Sequence, residues 1–159
     1  MPSSGKTTAW SKGRETDPRV FVCNSLAAKA QSVAEIEAKL AARGVAADEA
    51  AAAIDEALRL GYLDDAELAG QLARGLQARG FGRRRAAQTL RRRLVPEGVA
   101  VAALEEAFGD VDEAALAVRA LGRRAVDDEA ASLRAASFLV RRGFSSSAAW
   151  SAVRRARSP

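Results

Sequence analysis

The sequence predicts an all-α protein made of three tandem three-helix repeats, and three observations carry that expectation. Ala, Leu, Arg and Glu dominate the 159 residues, aromatics make up only 5%, and the runs of Val, Ile, Thr and Tyr that favour strands are missing. Helix start and stop signals recur along the chain. Finally, the sequence repeats itself. A shift of 50 residues aligns Ala53-Ile54-Asp55-Glu56-Ala57-Leu58 with Ala103-Leu104-Glu105-Glu106-Ala107-Phe108, and Leu40 with Leu90, without a gap. One such unit is too small to bury its apolar stripe alone, so neighbours are expected to stack into an elongated, curved array.

Residues 1–18, rich in Ser, Thr, Gly and Lys and closed by Pro18, lack apolar periodicity and read as a flexible N-terminal tail. Ser32-Val33-Ala34-Glu35 forms a capping box, Ile36 and Leu40 follow on one face, and Gly44 is placed to end that helix in a left-handed residue. The next helix spans about 47–60, with Asp48 and Glu49 in its first turn, where the macrodipole favours acids, and Gly61 as its stop. Asp64-Asp65-Ala66-Glu67 opens another helix as a second capping box, with Leu63 expected to staple onto Leu68. Leu68, Leu72 and Leu76 recur every four residues up to Gly80. A third copy is fainter: Arg142-Gly143-Phe144 echoes Arg43-Gly44-Val45, and Val153 takes the place of Ile54. The repeats are therefore set at 19–61, 62–109 and 110–159.

The inventory excludes much chemistry. There is no His and one Cys, so zinc sites built on those ligands, thiol–imidazole dyads and Ser-His-Asp triads cannot form. Cys23, inside Val20-Phe21-Val22-Cys23, reads as a small core residue. Asp64, Asp65 and Glu67, and likewise Asp127, Asp128 and Glu129, are explained as helix starts rather than metal ligands or acid–base groups. No phosphate-binding glycine loop is present. The expected protein is no enzyme and takes no cofactor or metal. No segment approaches the roughly 18 uncharged residues of a membrane span, so the protein is expected in the cytoplasm, as a monomer.

Charge directs attention to the middle of the chain. Residues 1–70 carry 8 basic and 11 acidic groups, and residues 71–159 carry 17 and 9, so the net charges are −3 and +8. An anionic partner is implied for the basic portion. The repeat shows where the basic charge was added: Val33, Ala34, Glu35, Ala41 and Ala42 become Arg83, Arg84, Arg85, Arg91 and Arg92 one unit later. Between Gln71 and Val95 stand eight Arg, Arg74, Arg79 and Arg93 among them, and no acid.

On a helical wheel Ala86, Ala87, Leu90 and Leu94 share one side, while Arg84, Arg85, Gln88, Arg91 and Arg92 share the other. Three arginines in a first helical turn oppose the macrodipole by roughly 0.3–1 kcal/mol each, a local rule broken where function is expected. Arg141 and Arg142 with Arg154, Arg155 and Arg157 form a second basic cluster, read equally as a solvated tail or a second contact. Trp150 and Phe144 are expected in the core. A second reading of these arginines is a stand-alone DNA-binding helical module that tracks phosphates or enters a groove.

The string Gly61-Tyr62-Leu63-Asp64-Asp65, then Ala69, then Arg79-Gly80-Phe81-Gly82-Arg83-Arg84 and Leu90, is similar to the core signature of the RecX family of regulatory proteins. Phe138-Leu139-Val140-Arg141-Arg142-Gly143-Phe144-Ser145 resembles that family's third repeat. The resemblance covers about residues 19–157. It implies a bacterial protein of tandem three-helix repeats that binds the RecA recombinase filament along its groove. There it would restrain strand exchange, ATP hydrolysis and coprotease activity, in recombinational repair and the SOS response. It further implies that Arg74, Arg79, Arg83, Arg84, Arg91 and Arg92 face the filament, with nucleic acid contacted through it. The chain departs from the family pattern at Leu68, usually Phe, at Arg83, often Pro, and at Ala86, usually a larger aliphatic.

Overall fold

The computed structural model describes residues 17–158, and the expected N-terminal tail lies outside it except for its last two positions. Those two start a helix. The Asp17 carboxylate accepts the Arg19 backbone N–H at 3.0 Å, and Pro18 sits in the first turn, where its fixed φ is favourable and no N–H is missed. The described residues contain nine helices and no strand, and they fall into two compact units that divide between residues 64 and 65.

In the first unit, α1 (Pro18–Ala28) and α2 (Val33–Ala42) both pack on α3 (Ala47–Arg59). Val22, Ile36, Leu40, Ala53, Ile54, Ala57 and Leu63 form its core. The Ser32–Glu35 capping box is present in both directions, at 3.1 and 2.9 Å. Gly44 and Gly61 follow their helices with φ +75° and +77°, left-handed backbone that a Cβ would strain. Buried Gln31 donates to the Ser25 carbonyl at 2.9 Å and accepts from Lys39 Nζ, so the turn between α1 and α2 is held by polar contacts.

One expectation fails here. Cys23 is exposed, because Val22 takes the inward position on α1 and the next residue is turned about 100° away. Leu63 is buried in this core with Val22 and Ile36.

The second unit holds α4 (Asp65–Ala78), α5 (Arg83–Arg92), α6 (Glu97–Phe108), α7 (Glu113–Leu121), α8 (Glu129–Arg141) and α9 (Ser146–Arg157). α4 packs on α5 and α6, while α7 and α8 pack on α9. One hydrophobic cluster runs through both triplets, from Leu68, Leu76, Ala86 and Leu90 to Leu116, Leu139, Phe144 and Val153. Side-chain caps begin three of these helices: Asp112, Asp128 and Ser145 each accept the N–H three residues on.

Trp150, expected in the core, stands 40% exposed on α9, because Ala149, Ala152 and Val153 fill the inward stripe and leave no room for an indole. Leu94 is 50% exposed with φ +55°. α5 ends at Arg92, so Leu94 lies past the helix and off the apolar stripe that a continued wheel assigns to it.

Candidate anion-binding groove

α5 presents the basic residues because its small inward face leaves no choice of orientation. Ala86 and Leu90 are fully buried, which turns Arg84, Gln88, Arg91 and Arg92 outward and leaves Arg85 half-buried. The start of α5 lacks a side-chain cap and any acidic residue. Its orphan donors are met from the third triplet instead. The Arg84 N–H donates to the Gly143 carbonyl at 3.1 Å, and the Gly82 N–H donates to the Arg142 carbonyl at 2.9 Å. Backbones approach this closely only because both partners are glycine. A Cβ on Gly82 would lie 2.4 Å from the Gly143 oxygen, and one on Gly143 would lie 2.4 Å from the Arg85 nitrogen.

This junction leaves a groove of about 440 Å³ between α5 and the end of α8. Arg84, Arg85, Gln88 and Arg91 line one side and Arg141 the other, over a floor of Ala87, Val140 and Gly143. None of the lining residues is acidic. Among the described residues no carboxylate pairs with Arg84, Arg91, Arg92 or Arg141. Four guanidinium groups sharing one concavity repel each other, and the repulsion is relieved by an anion able to accept several charge-assisted bonds at once.

The remaining arginines singled out from the sequence are placed differently. Arg74 pairs with Glu106 at 3.3 Å and lies 3.9 Å from Glu67, and Arg83 pairs with Glu105 at 3.1 Å, so α6 partly neutralises both. Arg79 donates Nε to the Gly75 carbonyl at 3.2 Å. Arg154 is exposed on α9.

Arg142 is the most engaged. Its Nε donates to the Gly80 carbonyl at 2.9 Å, its terminal nitrogen to the Arg79 carbonyl at 2.7 Å, and its plane lies 4.0 Å from the Phe81 ring centroid. It ties the end of α8 to the α4–α5 turn and so fixes the mouth of the groove. No three His, Cys, Asp or Glu side chains converge among the described residues. No helix among them is long and apolar enough to cross a membrane.

The comparisons with known proteins agree with this architecture. Residues 64–104 match the family description "RecX, second three-helix domain", the segment that carries α4, α5 and most of α6. The Regulatory protein RecX of Mycobacterium avium (strain 104) is 32% identical over 146 residues, 88% of this chain and 84% of that protein. The protein of the same name from Trichlorobacter lovleyi is 36% identical over 120 residues, covering 71% and 78%. In fold, the chain superposes on the crystal structure of RecX from Lactobacillus salivarius with a TM-score of 0.75 at 17% identity, over 87% of this chain and 93% of that one.

Proposed function

This chain belongs to the RecX family of regulatory proteins, and on that premise we propose that it is a non-catalytic regulator that binds the RecA recombinase filament and restrains strand exchange, ATP hydrolysis and coprotease activity. It would act as a monomer in the cytoplasm, within recombinational repair and the SOS response. The observation that carries the reading is the groove between α5 and α8, where Arg84, Arg85, Arg91 and Arg141 converge without an acidic lining residue. Guanidinium groups in that setting are pre-placed for bidentate bonds to carboxylates or phosphates of a large anionic assembly. Arg92 extends the same face outside the groove. Arg74, Arg83 and Arg142 support it from within, through their bonds to α6 and to the α4–α5 turn.

The test mixes the purified chain with preformed RecA filaments and measures co-sedimentation and ATP turnover. The triple variant R84E/R91E/R92E touches only exposed side chains that lack a carboxylate partner and should keep its helical content. It is expected to lose at least tenfold in filament affinity and to restore full ATP turnover. Inhibition undiminished in that variant would remove the groove from the mechanism.

A further inference from the structure

Two half-buried phenylalanines, Phe81 and Phe138, carry a row of guanidinium groups that ends in the groove. Arg142 Cζ stands 4.0 Å from the centroid of the Phe81 ring and 5.3 Å from that of Phe138. Arg124 covers Phe138 at 3.8 Å, while Arg85 and Arg79 lie 5.8 and 5.6 Å from Phe81. Each of these distances falls within the roughly 6 Å over which the face of a ring attracts a cation. Cations and rings therefore alternate from Arg124 through Phe138, Arg142 and Phe81 to Arg85, a residue that lines the groove.

The row spans the joint between the second and third triplets. Phe81 stands in the α4–α5 turn, Phe138 and Arg142 at the end of α8, and Arg124 in the turn before it. Both rings pack against the core that the two triplets share. Neither ring lines the groove, so any effect they have on a partner passes through the arginines.

This unit holds its arginines in two ways. Arg74 and Arg83 pair with Glu106 and Glu105, which positions their guanidinium groups and neutralises them at once. Among the described residues no carboxylate pairs with Arg85, Arg124 or Arg142. An aromatic face offers a quadrupole and no net charge, so it holds a guanidinium and leaves the positive charge intact. A guanidinium also donates in its plane and stacks through its faces, so the two do not compete. Arg142 does both: it donates to the Gly80 and Arg79 carbonyls and lies over the two rings.

We propose that Phe81 and Phe138 are positioning residues for the groove. By cation–π contact they fix Arg85 and Arg142 against the mutual repulsion of the cluster, so its charge is pre-arranged and undiminished when the anionic partner arrives. The proposal rests on the filament reading and names what gives its groove a fixed shape. The repeat supplies a control. Arg43, the counterpart of Arg142, lies over Phe21 at 3.9 Å in the first unit, where no second ring carries the row onward among the described residues.

The experiment replaces Phe81, and separately Phe138, by phenylalanines bearing one, three or five ring fluorines. Fluorine draws electron density from the face and keeps the shape of the ring, so it separates the cation–π contact from the filling of space. Filament co-sedimentation of the full chain gives affinity, thermal melting gives stability, and the arginine Nε–H resonances report stacking without filaments. Affinity is expected to fall with each added fluorine, by about three- to tenfold for the fully fluorinated ring at position 81, with Tm unchanged. F81L should bind as weakly as that protein, and F81Y should stay within about twofold of wild type. R142K keeps the charge but not the planar stack and should weaken binding, whereas F21L should not. Affinity indifferent to fluorine, while wild type co-sediments, overturns the positioning role and leaves the filament reading standing. A loss shared by F21L, or one that follows Tm rather than fluorine content, overturns it too, because packing then explains the effect. Absence of wild-type co-sedimentation, with arginine resonances that still move with fluorine content, overturns the filament reading and leaves the rings as what holds the arginines.

Discussion

At Leu94 the chain accepts left-handed backbone without the residue suited to it. The corresponding positions in the other two triplets are Gly44 and Gly143, both with positive φ, while Leu94 adopts φ +55° with half its surface exposed. Left-handed backbone costs an L-residue with a Cβ roughly 1–2 kcal/mol, and glycine returns about 0.5–1 kcal/mol of that in unfolded-state entropy. L94G is therefore expected to stabilise by about 0.5–1 kcal/mol and raise the Tm by a few degrees, measured by thermal melting. A lowered Tm would show that the leucine makes a compensating contact. The strain stands next to Arg91, Arg92 and Arg93, beside the basic face, where locally unfavourable choices concentrate.

At the level of elements, caps decide where helices start, and one of them titrates. The Ala115 N–H and then the Arg155 guanidinium hold the Asp112 carboxyl below its ordinary range. A folded-state pKa below the unfolded value of about 3.9 stabilises at neutral pH, and the contribution disappears as pH falls through the lowered folded value. D112N keeps the oxygen that caps α7 but not the charge, so its helicity should lose the part of the acid transition that belongs to Asp112, read as the difference in ellipticity between pH 5 and 2. Identical profiles for the two proteins would assign that transition elsewhere.

Helix boundaries were legible in the residues because they are local: the Ser32 capping box, the stops at Gly44, Gly61 and Gly80, and the start at Asp128 stand where the sequence puts them. The side chains that went astray were those decided by neighbours in space. Cys23 and Trp150 lose the inward position to Val22 and to a row of alanines, and no window of sequence holds that competition. The same limit applies to the basic face. The run from Arg83 to Arg92 is visible as a string, but Arg141 joins it only through the Gly82–Gly143 contact, and Arg74, Arg83 and Arg142 are engaged by partners 22 to 63 residues away.

For the molecule as a whole, the second and third triplets act as one body. They share a single core, and Arg142 ties the third triplet to the α4–α5 turn besides the backbone contacts at Gly82 and Arg84, while Glu113 and Asp112 bind Ser145 and Arg155 within the third triplet. Gly143 is the point of least tolerance. It has φ +96°, and a Cβ there would meet Arg85 backbone and side-chain atoms at 2.4–2.5 Å. G143A should cost about 3 kcal/mol from strained backbone and overpacking and lower the Tm of this unit by roughly 10 °C or more. A melting curve that moves by less than a third of that would mean the two backbones can part cheaply.

The carbonyl that satisfies the start of α5 comes from a residue about sixty positions later. A nascent chain emerging from the ribosome, N-terminal end first, thus exposes its arginine-bearing helix long before it has the acceptor that steadies it. Polypeptides released early by a premature stop would carry the same charges without the groove that gathers them. The concavity is therefore complete only once the chain has been made as far as Gly143 and folded back onto α5.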